Sequence, residues 1–256
     1  MPKNIIACRP QSYCDFQSEA FPNMVEAGIT NAEVPAPAEM DWAKLADLLK
    51  KYGITPTSVS GGIKFSDNMA LTIFSHTARC AQELGAKIVF LSVKTDGKPF
   101  EDCYKKLRDI GEIAKANGVT VALETHPDMV TNGDEAVKTM KAVNHPNVKL
   151  NYDSANLYYY NEKIDGIAEL KKMLPYLAAV HLKASRGKLT DWWFPGLHEE
   201  GDIVNYPEIF KLCNGAGFYG PFTMEIEGIK GEKLTREVAI ARVANSMKYL
   251  RSIGVV

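Results

Sequence analysis

Apolar runs of about five residues recur along the chain, and several follow a helix-like segment that closes on glycine. Glu26-Ala27-Gly28 leads into Ile29 to Val34, and Lys51-Tyr52-Gly53 into Ile54 to Val59. Glu83-Leu84-Gly85 precedes Lys87 to Leu91, Ala116-Asn117-Gly118 precedes Val119 to Leu123, and Gly217 stands before the last run. Glycine just past a helix takes the left-handed conformation cheaply, so each unit reads as helix end, turn, strand. Between the runs the period changes. Leu45, Leu48, Leu49 and Tyr52 fall at i, i+3, i+4 and i+7, Cys103, Leu107, Ile110 and Ala114 do much the same, and Pro99 and Pro207 sit where first helical turns begin.

Strands are expected near 4–8, 29–34, 54–59, 87–92, 119–124, 148–153, 178–183 and 221–226, each followed by a helical segment, the last from about Thr235 to Arg251. Eight alternating β/α units in 256 residues predict an α/β fold, a (β/α)8 TIM barrel forming a single domain over residues 1–256. A doubly wound open sheet is the alternative, weakened because no GxGxxG or P-loop follows the first strand. The longest loop, Ser185 to Asn205, follows the seventh strand on what would be the catalytic face.

Composition narrows the classes. An apolar fraction of 46% with 24% charged residues describes a soluble globular protein, and a net charge of -1 argues against a basic nucleic-acid surface. No apolar stretch approaches the roughly 18 residues of a membrane helix. The segment from Met1 to Pro10 lacks a secretory apolar region. The five cysteines, odd in number and without a CxxC pair, fit reduced thiols, so a cytoplasmic location is expected. Cys8 stands apart because it ends the first strand.

Four predicted strands end in polar residues two apart: Glu124 and His126, Asn151 and Asp153, His181 and Lys183, Glu225 and Glu227. Residues i and i+2 share a face of a strand, so each strand turns two polar side chains the same way. Barrel enzymes carry their active sites at the C-terminal strand ends. Convergence there would unite Glu124, Asp153, His181 and Glu225, a carboxylate-rich set with one imidazole. Such a set suits a divalent metal ion, Mn2+ foremost, with Mg2+, Co2+ or Zn2+ as alternatives.

The stretches Ala122-Leu123-Glu124-Thr125-His126, Asn151-Tyr152-Asp153-Ser154-Ala155-Asn156, His181-Leu182-Lys183, Glu200-Gly201-Asp202-Ile203 and Met224-Glu225-Ile226-Glu227 resemble the xylose-isomerase-like barrel superfamily. That group holds sugar isomerases, epimerases and inosose dehydratases related to endonuclease IV. The resemblance covers nearly the whole chain. It implies that Glu124, Asp153, His181 and Glu225 hold one divalent ion, and that Glu124 and Glu225, on opposing sides of it, are the catalytic acid/base pair. Asn156 stands where the multi-zinc nuclease relatives carry a histidine, which speaks for a single-metal site. Family members often have an acidic residue after His-x-Lys; here it is Ala184, a departure that bears on the substrate.

The expected chemistry is proton abstraction next to a carbonyl on a small sugar or cyclitol, through an enediolate stabilised by the cation. Return of the proton gives an epimer or an aldose–ketose isomer; loss of a β-hydroxyl gives elimination. Isomerase or epimerase is the first reading, and a lyase or dehydratase on a keto-sugar or inosose the alternative. A non-catalytic sugar-binding barrel stands behind them. A nuclease would need two more metals and a basic groove. The resemblance also allows a homo-oligomer. Further substrate-binding candidates are Glu33 at the end of the second strand, His126, Asn156, Lys183 and Glu227 at the later strand ends, and His198 and Trp192 in the long loop. Each competes with a plainer role as a solvated or packed side chain. Trp193 and Phe194 can stack on a ring beside Trp192 or form a small core, and among Tyr158, Tyr159 and Tyr160 at least one is expected to pack. His76 and His145 read as structural.

Overall fold

A computed structural model of the protein describes residues 2–37 and 42–256. Among these residues, eight parallel strands close into a barrel: β1 (Ile6–Cys8), β2 (Asn31–Pro35), β3 (Thr55–Gly62), β4 (Ile88–Ser92), β5 (Thr120–Glu124), β6 (Val148–Asp153), β7 (Leu177–Leu182) and β9 (Phe222–Met224). The helices between them are α1 (Ala20–Glu26), α2 (Trp42–Tyr52), α3 (Ala70–Leu84), α4 (Phe100–Ala116), α5 (Gly133–Val143), α6 (Asn156–Tyr160), α7 (Gly166–Met173), α8 (Tyr206–Gly215) and α9 (Arg236–Ser252). This is the (β/α)8 barrel that the alternation of periods predicts. The open-sheet alternative falls, because β9 pairs with both β7 and β1 and leaves no edge.

The local reasons are those of the sequence. The periodic apolar positions of α4, Cys103, Leu107, Ile110 and Ala114, are buried against the barrel. Side-chain oxygens cap helix starts: Asn132 for α5, Asp165 for α7, Asn205 for α8 and Thr235 for α9. The five glycines that precede strands all have φ between 64° and 80°. The main core lies between strands and helices. A separate apolar cluster of Ile88, Ala122 and Ala179 sits two residues below Phe90, Glu124 and His181 on the same strand faces. The barrel interior is thus apolar beneath and polar at its C-terminal mouth.

One feature was not expected. The long loop after β7 contains a two-residue strand, β8 (Trp193–Phe194), which pairs antiparallel with β10 (Gly228–Ile229) beyond β9. This ribbon ties together the two segments that cover the barrel mouth. No helix among the described residues is long and apolar enough to cross a membrane. The five cysteines are free. Cys8 faces the core with no exposure, and burial pushes its thiol up to about 12, so the first strand contributes no reactive sulfur to the mouth.

Gly118 has φ 65° with open space where a side chain would stand. Gly118→Ala should therefore destabilise the protein by about 1 kcal/mol through backbone strain alone, without a clash. The midpoint of denaturant unfolding checks this.

Candidate metal centre and pocket

The four strand ends meet. Strand register places Glu124 beside Asn151, Asp153 beside His181, and His181 beside Thr223, two residues before Glu225. The stepwise stagger of a closed barrel lifts these side chains into one group. Glu124, Asp153, His181 and Glu225 each offer a ligand atom, and these atoms lie within 4.8 Å of one another. Their exposures are 3%, 0%, 0% and 3%. His181 Nδ1 is 2.8 Å from Glu225 Oε2, 3.5 Å from Glu124 Oε1 and 3.9 Å from Asp153 Oδ2.

Each of the four is oriented from behind. His181 Nε2 lies 3.3 Å from the Glu33 carboxylate, which aims Nδ1 at the carboxylates. Glu33 in turn accepts from Ser58 Oγ at 2.7 Å and pairs with Arg9 Nε at 3.4 Å. Asp153 Oδ1 accepts from the backbone N–H groups of Ala155 and Asn156 at 2.8 and 2.9 Å, leaving Oδ2 toward the group. Glu124 Oε2 accepts from Ser92 Oγ and lies 2.7 Å from His126 Nδ1. Glu225 Oε1 is held by Arg9 Nη1.

The charges are strongly coupled. Burial opposes a cationic His181, but the Glu33 and Glu124 carboxylates outweigh it and raise its pKa to about 9. Burial likewise opposes an ionised Glu124, yet His126 and His181 hold it well below the usual carboxylate range. Burial raises Asp153, only partly offset by Lys183.

Asp153 Oδ2, His181 Nδ1 and Glu225 Oε2 are buried and face this group without a well-aligned hydrogen bond, the last two standing as an ion pair at 2.8 Å. A buried carboxylate oxygen without a hydrogen bond is costly, and a divalent cation would take lone pairs from Asp153 Oδ2, Glu225 Oε2 and, once its proton has left, His181 Nδ1. Three carboxylates and one imidazole whose other nitrogen faces a carboxylate form a donor set that fits such an ion.

Above this floor lies a cavity of about 250 Å3. Of the sequence-predicted residues, Glu124, Glu225, His126, Asn156, Lys183, Trp192 and Glu227 line it. Lys183 Nζ contacts Glu227 Oε2, lies 3.6 Å from Glu225 Oε2 and sits 4.4 Å from the Phe194 ring centre. Tyr159, Tyr160, Trp192 and Phe194 form an aromatic wall. Tyr158 packs aside, accepting from Gly166 N–H, and Trp193 is buried beneath the loop.

Two expectations change. Glu33 does not line the pocket; at 1% exposure it sits behind His181, because strand β2 turns it toward the imidazole and Arg9. His198 does not line the pocket either. Its ring stacks on Tyr249 of α9 at 4.2 Å and its backbone N–H donates to Asp202, so the loop turns it outward. Sequence reasoning missed Arg9, Ser92 and Phe90, which also line the cavity. The signal for Arg9 was parity: it lies two residues after Ala7 on the inward face, whereas Cys8 points out.

No curated protein matches the chain by sequence. Among solved structures it resembles D-psicose 3-epimerase with D-tagatose from Clostridium cellulolyticum H10 (TM-score 0.77, 14% identity, 97% of this chain and 98% of that one). It also resembles the probable 3-DHS dehydratase AsbF, involved in petrobactin synthesis, from Bacillus anthracis (0.73, 16%, 98% and 99%). An IOLI protein with a binding zinc atom is similar as well (0.73, 19%, 97% and 97%). Likeness at these identities speaks to fold. The family model described as xylose isomerase-like TIM barrel matches residues 21–253, nearly the full length, and the chain belongs to that family.

Proposed function

We propose that the protein is a divalent-metal-dependent isomerase or epimerase acting on a small sugar or cyclitol by proton abstraction next to a carbonyl. One observation carries this reading. Glu124 and Glu225 each turn one oxygen toward the shared centre and the other to a separate partner, His126 and Ser92 for Glu124, Arg9 for Glu225. Each carboxylate can thus ligate with one oxygen and handle a proton with the other.

Glu124, Asp153, His181 and Glu225 would hold the ion, Mn2+ first among Mg2+, Co2+ and Zn2+, and bound there it would supply Lewis-acid polarisation of a substrate carbonyl. Glu124, kept ionised by His126 and His181, removes or returns the proton at Oε2. Glu225 serves from the other side, with Arg9 setting its outer oxygen. Lys183 and Asn156, joined at 3.4 Å, offer donors to hydroxyl oxygens, and Glu227 an acceptor. The aromatic wall excludes water and gives a sugar ring an apolar face. A cavity of about 250 Å3 has room for one small ring. The similar structures include an epimerase and a probable dehydratase, in line with enolisation chemistry.

Elimination from the same intermediate is the second reading. His126 Nε2 lies 2.9 Å from the Tyr160 hydroxyl, which puts a proton donor on the pocket wall where a leaving hydroxyl can be protonated.

Wild-type protein with Mn2+ and a panel of ketoses in D2O should place deuterium on substrate carbon. Glu124→Gln should lower turnover by about a thousandfold while circular dichroism stays unchanged. Full activity in that variant removes Glu124 from the acid/base role, and an absorbance rise from an unsaturated ketone selects the lyase.

Ion uptake should release close to one proton per chain at neutral pH. With its pKa near 9, His181 carries a proton that must leave before Nδ1 can ligate. Acid competes, so apparent affinity should rise by about tenfold per pH unit and level off above about pH 9. Calorimetry in buffers of different ionisation enthalpy measures both quantities; affinity independent of pH below 9 contradicts the assignment of His181 as a ligand.

A further inference from the structure

Outside the pocket, an arginine bridges the two segments that the covering ribbon joins. Arg242 of α9 is 8% exposed and is not a lining residue. Its Nε donates to Glu199 Oε1 at 2.9 Å and its Nη2 lies 3.5 Å from Glu199 Oε2. Its Nη1 and Nη2 donate to the two oxygens of Glu232 at 2.7 and 2.9 Å. Glu199 belongs to the segment after β7 and Glu232 to the segment after β9, the two segments that β8 and β10 join.

Neighbouring contacts reinforce the same junction. Ser246, one turn along α9, accepts from Leu197 N–H at 2.8 Å and donates to the Arg242 carbonyl at 2.7 Å. Glu199 Oε1 also accepts from Gly196 N–H at 2.9 Å. A Cβ at Gly196 would come within 2.9 Å of Glu199 Oε1 and 3.2 Å of the Arg242 carbonyl oxygen, so a side chain there would push on this junction.

The backbone pairing of the ribbon is small, although Lys183 and Tyr159 pack against it from the pocket side. Each strand has two residues, and a two-stranded ribbon of any length is marginal alone in water. Yet it sets three pocket walls. Glu227 N–H donates to the Phe194 carbonyl at 3.1 Å, and Lys230 N–H to the Trp192 carbonyl at 3.0 Å. Phe194, Trp192 and Glu227 all face the cavity.

We infer that Arg242 is a positioning residue for substrate binding: by bridging Glu199 and Glu232 it fixes the ribbon and so the placement of Trp192, Phe194 and Glu227. Without the guanidinium, two partly buried carboxylates face one another uncompensated, and the two segments lose their common anchor. Lysine keeps the charge but cannot span both forks, so it should restore the anchor only in part.

The turnover and Mn2+ parts of the test rest on the proposed function; the hydrogen-exchange part does not. In Arg242→Met, hydrogen exchange at the Glu227 and Lys230 amides should speed up by at least about tenfold, with amides of β4, β5 and β6 unchanged. Mn2+ affinity should stay within about threefold, because no ligand is touched. With a substrate in hand, KM should rise by about tenfold and kcat change less, with Arg242→Lys intermediate. Should Arg242→Met fail to fold, Glu232→Gln, which removes one branch, gives the same pattern at smaller amplitude. Unchanged exchange in the ribbon overturns the inference. So does a speed-up shared equally by ribbon and barrel strands, since Arg242 would then hold the fold and not the roof. If no sugar is turned over or no Mn2+ is bound, the exchange rates of the ribbon against those of β4, β5 and β6 still decide the role of Arg242, so the two readings fail separately.

Discussion

Mutual repulsion among buried carboxylates is the constraint that organises this protein. Glu33, Glu124, Asp153 and Glu225 are each no more than 3% exposed and crowd around one imidazole. Two like charges about 4 Å apart repel by ~4 kcal/mol even at an effective dielectric near 20, and here several such pairs coexist. The surrounding cations answer only part of this. Arg9 takes one oxygen of Glu225, Lys183 leans toward Glu225 and Glu227, and His181 is driven toward its charged form. Asp153 Oδ2 and Glu225 Oε2 still lack hydrogen bonds. A ligand of high positive charge would relieve this repulsion, which links the electrostatics to the proposed metal site.

The barrel makes the crowding possible. No two of the four central residues are near neighbours in the chain, and each stands at or just past the end of a different strand. Closure and stagger bring them together, while the helices bury their own apolar faces outside. The apolar layer of Ile88, Ala122 and Ala179 beneath keeps the polar group at the mouth. Function therefore depends on a few side chains placed on a scaffold whose stability comes from elsewhere.

Strand parity is why the convergent strand-end group was legible in the sequence. A period of two puts i and i+2 on one face, so Glu124 with His126 and Glu225 with Glu227 predicted their own direction, and each of these four lines the pocket. The glycine turns marked strand starts for a similar reason, since their left-handed φ suits glycine above other residues. What escaped was set by partners far along the chain. Arg9 follows a three-residue strand, too short for parity to stand out beside Cys8. Pairing of β8 with β10 joins two-residue segments more than thirty positions apart, and no local pattern encodes it. Glu33 and His198 occupy the kind of places where substrate contacts occur, but tertiary neighbours claimed them first, His181 and Arg9 for one and Tyr249 for the other.

The central claim, that one divalent ion belongs between these four side chains, is tested most directly by crystals grown with Mn2+ and measured at a wavelength where manganese scatters anomalously. The account predicts a single strong peak bounded by Glu124, Asp153, His181 and Glu225. A map with no peak there, or with manganese held only at other carboxylates, would contradict it.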